Sequence, residues 1–155
     1  MRQAGVGPLD DAVGYVLKQA ASALRGSMDT ALRPLGLTVP QYACLELLRQ
    51  RPGSSNAELA RGAFVTRQSM NGVLRGLQER GLLERPETAP HGRALPSRLT
   101  PAGREQLDAA DTAVAEVQRR MLAPLPAASR EQLLRDLTAC AQALGGADGD
   151  DDGLV

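Results

Sequence analysis

The chain has 155 residues, with 18 Lys or Arg, 18 Asp or Glu, one His and no Trp, enough for one ordinary domain and its core. Its three aromatic residues are Tyr15, Tyr42 and Phe64, so the core must come from Leu, Val, Ala and Met, which suits helix-on-helix layers better than a sheet sandwich. The net charge of zero hides a division: Arg49 to Arg104 carries ten Arg against four Glu, or +6, and the remainder carries eight basic against fourteen acidic residues, or −6. A basic module inside an acidic protein is an electrostatic footprint for phosphate. The sequence has neither a run of eighteen apolar residues nor a basic-then-apolar start, so a soluble, cytoplasmic protein without a membrane span is expected. Cys44 and Cys140 have no metal-ligand spacing and no disulfide framework.

In chain order, Leu9, Val13, Val16, Leu17, Ala20, Leu24, Met28, Ala31 and Leu32 follow the i, i+3, i+4 stripe of one long amphipathic helix over Leu9–Leu35. It is about 36 Å long if about 24 residues are helical, and Pro34 and Gly36 end it. Thr38-Val-Pro-Gln41 is a capping box with Pro in the first turn. It launches Gln41–Arg49, which is apolar nearly all round and so predicted to be central and buried. Ser55-x-x-Glu58 caps a third helix, and Gly62 to Val65 is a turn. Thr66 caps a fourth helix whose inward stripe is Met70, Val73, Leu74 and Leu77, and Gly81 closes it. Leu82–Arg85 and Ala94–Leu99 are short strands joined through Thr88–Arg93, with Pro86 and Pro96 fit only for edges. Thr100-Pro101 starts a helix with a sparse stripe of Leu107, Val114, Val117 and Met121. Pro124 and Pro126 break it. A last helix, about Ala127 to Leu144, is predicted to face Leu133, Leu134, Leu137, Cys140 and Leu144 inward, and residues 146–155 form an acidic tail expected to be disordered.

The order helix, turn, helix, two strands over Ser55–Gly103 is that of a winged helix-turn-helix, with one helix for a DNA major groove and a basic hairpin for the flanking backbone or minor groove. The predicted fold class is therefore mostly α with a small β-hairpin wing.

Gly36-Leu-Thr-Val-Pro-Gln-Tyr42, Glu58-Leu-Ala60, Thr66 to Gly81-Leu82 and Leu99-Thr-Pro-Ala-Gly103, taken in this order, resemble the MarR family of bacterial transcription regulators over about Asp10–Leu144. The resemblance implies a homodimer, with a helical dimerisation region of residues 10–35 and 100–145 around a DNA-binding region of residues 38–99. It also implies a pseudo-palindromic operator in double-stranded DNA, and repression relieved by a small aromatic or phenolic effector. The wing departs from many relatives, which carry Asp-x-Arg-Asp-Arg-Arg where this chain has His91-Gly-Arg-Ala-Leu. A subgroup with a Gly-Arg-x-Leu wing is similar, and by analogy its effectors include salicylate-like acids.

Within this frame Arg67 and Arg75 are candidates to grip guanine or phosphate, and Gln68 and Asn71 to pair with adenine. Thr66 and Ser69 suit phosphate. Gly72 lies outward, where a missing side chain lets the backbone approach DNA, and Gly76 could serve helix packing. Arg93 at the hairpin tip suits a narrow minor groove, with Arg85 and Arg98 on phosphates. For each, the plainer alternative is a solvated surface. By resemblance the effector pocket lies where dimer helices meet the DNA-binding lobe, with Tyr15, Lys18, Met28 and Tyr42 as candidates. Lys18, the one lysine, offers a cation to a carboxylate, and the alternative is ordinary packing. Cys44 raises a redox-sensing regulator of the same fold, although a Cys in an apolar helix is more often inert core. A third reading is a winged-helix protein–protein module. An enzyme is disfavoured by the single His and the lack of a nucleophile–base pair, phosphate loop or metal cluster, and no cofactor or metal is expected.

Overall fold

Four helices begin at a Ser or Thr whose hydroxyl closes the first turn, and these local signals set the frame. The computed structural model describes residue 5 and residues 7–85 and 96–145. Its helices are α1 (Val13–Leu32), α2 (Val39–Gln50), α3 (Asn56–Gly62), α4 (Arg67–Glu79), α5 (Pro101–Leu122) and α6 (Ala127–Ala143), with strands β1 (Leu83–Glu84) and β2 (Arg98–Leu99). The protein is thus mostly α with a small antiparallel pair, in which Leu83 faces Leu99 and Glu84 faces Arg98. Contacts divide it into two compact units that meet in sequence at Gln118 and Arg119.

Thr38 Oγ1 accepts the Gln41 N–H at 3.2 Å while Gln41 Oε1 accepts the Thr38 N–H at 3.0 Å. Ser55 and Glu58 repeat that box at 3.1 Å in both directions. Thr66 Oγ1 takes the Ser69 N–H and Thr100 Oγ1 takes the Gly103 N–H, both at 3.0 Å. Each such cap contributes about 1 kcal/mol by satisfying a donor that the helix leaves open. At the other end of α4, Gly81 adopts φ +72°. The Gly81 N–H reaches the Gln78 carbonyl and the Leu82 N–H reaches that of Leu77, both at 3.0 Å. This Schellman closure turns the chain directly into β1.

The core of the first unit gathers Leu32 from α1, Cys44, Leu45 and Leu48 from α2, Leu59 from α3, Met70, Leu74 and Leu77 from α4, and Leu83, Leu99 and Leu107. As expected, α2 is central. Three expectations are corrected. The predicted Leu9–Leu35 helix is trimmed to Val13–Leu32, with 3-10 turns at Leu9–Asp11 and Arg33–Leu35, because Pro34 has no N–H with which to continue an α-helix. The apolar stripes of α1 and α6 are visible, but Val13, Val16, Leu17, Leu134, Leu137 and Leu144 are exposed, as is Cys140, and Leu133 is only half-buried. Among the described residues, the second unit holds only α6 and the end of α5. The strands are shorter than predicted, and residues 86–95, including Pro86 and the Thr88–Arg93 turn, lie outside the described residues.

The start of α5 is seated on the chain leaving α4. Thr100 donates through its N–H to the Leu82 carbonyl at 3.2 Å and through its hydroxyl to the Gly81 carbonyl at 2.6 Å. A Cβ on Gly103 would lie 1.9 Å from the Leu82 carbonyl oxygen, a backbone atom that cannot swing aside. Gly103→Ala is therefore expected to destabilise by at least about 1–3 kcal/mol, read as a lower urea midpoint. An unchanged midpoint would mean that α5 does not sit against Leu82.

Candidate nucleic-acid interface

Met70, Leu74 and Leu77 recur at i, i+4 and i+7 and are fully buried, with Val73 packed beside them. That stripe fixes α4 on the core and determines which residues must face out. Thr66, Arg67, Gln68, Ser69, Asn71, Gly72 and Arg75 are all exposed. The structure thus brings seven of the sequence-predicted residues onto one continuous face at the N-terminal end and middle of α4.

Their chemistry is not uniform. The Thr66 hydroxyl accepts the Ser69 N–H and donates to Ser69 Oγ at 3.0 Å, so Thr66 is committed to the cap and the Ser69 hydroxyl keeps its proton for an outside acceptor. Asn71 Oδ1 accepts from Asn56 Nδ2 across the α3–α4 turn, which steadies the amide and leaves its own NH2 for a partner. Arg67 and Arg75 make no ion pair among the described residues. A Cβ at Gly72 would meet nothing within 4 Å, so the fold itself does not require glycine there, in keeping with close approach from outside. A Cβ at Gly76 would find only Gln41 Nε2, at 3.7 Å. That is an ordinary contact, so of the two readings of Gly76, helix packing or plain tolerance, the geometry favours tolerance.

At the wing, Arg98 Nε donates to Glu84 Oε2 at 3.1 Å across the strand pair, so part of its guanidinium is already engaged. Arg85 is exposed. Arg93 lies outside the described residues.

The effector candidates are spread along α1 and α2. The Tyr42 hydroxyl donates to Asp111 Oδ1 at 2.9 Å, and burial first, then that carboxylate, raise its pKa well above the ordinary phenol value. Arg49, about two turns further along α2, donates to Glu46 at 2.6 Å, to Asp108 at 3.1 Å and to Asp111. Tyr42 therefore belongs to a polar clasp between α2 and α5. Tyr15 and Lys18 stand exposed on the first half of α1, and Met28 is half-buried near its end. Thirteen residues of helix put about 20 Å between Tyr15 and Met28, more than a single-ring acid spans.

Two features escaped the sequence reading. Arg80, at the end of α4, donates to the Gly36 carbonyl at 2.7 Å and the Leu35 carbonyl at 3.4 Å, and Gln106 of α5 donates to the same Leu35 carbonyl at 2.6 Å. Phe64, in the turn before α4, holds φ +59° with 94% of its surface exposed. A left-handed backbone costs a residue with a Cβ about 1–2 kcal/mol. The available signal was an aromatic residue in a turn where glycine is the default.

Comparison with known proteins agrees with this geometry. The family model described as MarR family matches residues 35–94. The HTH-type transcriptional repressor Rv2887 of Mycobacterium tuberculosis is 44% identical over 133 residues, covering 85% of this chain and 96% of that protein. The structure of that M. tuberculosis protein in complex with salicylic acid superposes with a TM-score of 0.71 at 43% identity, covering 83% of this chain and 95% of that one. Its complex with DNA gives 0.70 at 41% identity, covering 83% and 96%.

Cys44 bears on the redox alternative. It is wholly buried, and burial pushes its thiol up to about 12, so almost no thiolate forms at neutral pH and the group is a poor nucleophile. In a Cys140→Ser background, a disulfide reagent should label Cys44 only as fast as the protein unfolds. Rapid labelling of the native protein, with loss of DNA binding after peroxide, would restore the redox reading.

Proposed function

The chain belongs to the MarR family of transcription regulators, and we propose that it acts as a homodimeric repressor of a pseudo-palindromic operator, released by a small aromatic acid. The observation that carries this is the α4 face, polar, cationic and exposed on a helix whose other side buries Met70, Leu74 and Leu77. An N-terminal helix end presented in this way is the part of a helix-turn-helix that enters a major groove. Arg67 and Arg75 take guanine or phosphate, Gln68 and the free amide of Asn71 take adenine, and Ser69 takes phosphate. Gly72 permits close approach, while Arg85, Arg98 and the wing residue Arg93 hold the flanking backbone or minor groove. Nothing in these roles calls for catalysis, and DNA as the target implies work in the cytoplasm.

The dimer is supported by what a single chain leaves uncovered. Leu9, Val13, Val16 and Leu17 at the start of the chain, and Met121, Leu134, Leu137 and Leu144 near its end, are exposed apolar side chains too numerous for a lone soluble molecule. A second copy covers them, through residues 10–35 and 100–145. Two α4 helices then fall on one side of the duplex, about 34–36 Å apart. The salicylic acid complex of the M. tuberculosis relative supports an aromatic acid as effector. Lys18 supplies a cation for its carboxylate and Tyr15 an aromatic edge, while Met28 can join them only from the other protomer. An effector that binds better to a dimer with the wrong spacing shifts the population away from the DNA-competent form.

The test is a titration of the DNA upstream of the protein's own coding sequence at fixed salt. Arg75→Ala is expected to lose about 1–3 kcal/mol of affinity with an unchanged urea midpoint. Salicylate should weaken the native complex, and Lys18→Ala should blunt that response. Equal affinity for Arg75→Ala would remove Arg75 from the interface, and native protein that shows neither a footprint nor a salt dependence would sink the DNA-binding reading.

A further inference from the structure

Phe64 combines two unfavourable features in one residue. It is the only phenylalanine in the chain, and it stands 94% exposed at φ +59°. The turn itself explains the backbone. The N–H groups of Ala63, Phe64 and Val65 donate to the carbonyls of Leu59, Arg61 and Ala60 at 2.9, 3.2 and 3.0 Å, and that pattern needs a left-handed residue between α3 and α4. Glycine meets this need without strain, so the backbone does not account for the ring. Nor does the core, because Ala63 and Val65 on either side pack against it while the residue between them turns away. What lies next to the ring in sequence is Thr66, the cap of α4, followed by the exposed Arg67, Gln68 and Ser69.

We infer that Phe64 is a specificity-determining DNA contact, packing its ring against the C5-methyl group of a thymine in the operator. The inference rests on α4 being the recognition helix. Phe64 stands three residues before the first residue of α4, so a recognition helix that enters the major groove by this end brings the exposed ring near the base edges, whose apolar group there is the thymine methyl. An apolar ring beside arginines adds selectivity without adding charge, so its contribution is independent of salt.

Uracil in place of thymine removes that methyl and nothing else. With the operator located by footprinting, each thymine is replaced in turn by deoxyuridine and titrated against the native protein and Phe64→Gly. The native protein should lose roughly fourfold in affinity at one thymine in each half-site, and over tenfold when both are replaced. Phe64→Gly should bind the unmodified operator roughly tenfold more weakly and be indifferent to uracil at that position. It should keep the native salt slope, and its thermal midpoint should be equal or higher because the turn is relaxed. Phe64→Leu, which keeps an apolar side chain, should retain part of the uracil sensitivity. If Phe64→Gly binds as the native protein does, or if uracil costs both proteins the same, the ring does not read thymine. Failure of the native protein to bind any upstream DNA would instead overturn the regulator reading and this contact with it.

Discussion

The burial of one stripe of α4 governs the rest of the molecule. Met70, Leu74 and Leu77 are sealed against α2, α3 and β1, and each such side chain contributes about 1.5–3 kcal/mol by leaving water. Rotating α4 by even one residue, 100° about its axis, would bring Asn71 or Arg75 towards the core and expose Met70 or Leu74. The apolar stripe therefore does more than stabilise the lobe. It sets the rotational phase at which Arg67, Gln68, Asn71 and Arg75 are offered to solvent, and the caps at Thr66 and Gly81 set where that face begins and ends.

The position of α4 is also tied to elements far from its outward face. Arg80 at its C-terminal end and Gln106 on α5 both donate to the Leu35 carbonyl at the close of α1. Leu35 is thus a shared acceptor for three elements that local sequence signals define separately. A change in the angle between α1 and α5 must either carry the end of α4 with it or break these hydrogen bonds. The clasp of Tyr42 and Arg49 on Asp111 restrains α2 against α5 in the same way. A movement of α1 against α5 is thus transmitted to the end of α4 through bonds already present.

What the sequence revealed, and what it withheld, follows from distance along the chain. The capping boxes at Thr38 and Ser55, the Thr66 cap and the Gly81 closure are all settled within a few residues, and each was legible. So were the stripes of α1 and α6, but periodicity states only that a face is apolar, and Leu134, Leu137 and Leu144, expected to face inward, are exposed in the single chain. The Tyr42–Asp111 bond joins residues 69 positions apart, beyond any local pattern, and it turned a candidate effector contact into a structural one. The left-handed backbone of Phe64 is local, and its one sign in the sequence is a bulky residue in a turn that normally takes glycine.

Formal charge is the point at which structure most changes the sequence argument. Arg49 opens the +6 segment, yet its guanidinium is engaged by Glu46, Asp108 and Asp111, acids that lie outside that segment. Arg98 shares its charge with Glu84 inside it. A paired arginine has already exchanged its water for a carboxylate and gains less from a phosphate than one that is merely hydrated. Among the described residues of that segment, Arg51, Arg61, Arg67, Arg75, Arg80, Arg85 and Arg104 are exposed and stand in no ion pair, with Arg80 donating to the Gly36 and Leu35 carbonyls. Arg51 follows α2, Arg61, Arg67 and Arg75 lie on α3 and α4, Arg80 ends α4, Arg85 follows β1 and Arg104 stands in the first turn of α5. Much of the segment's unpaired positive charge therefore lies on the helix-turn-helix. There the unpaired guanidiniums, the open backbone at Gly72 and the exposed ring of Phe64 belong to one short stretch of chain.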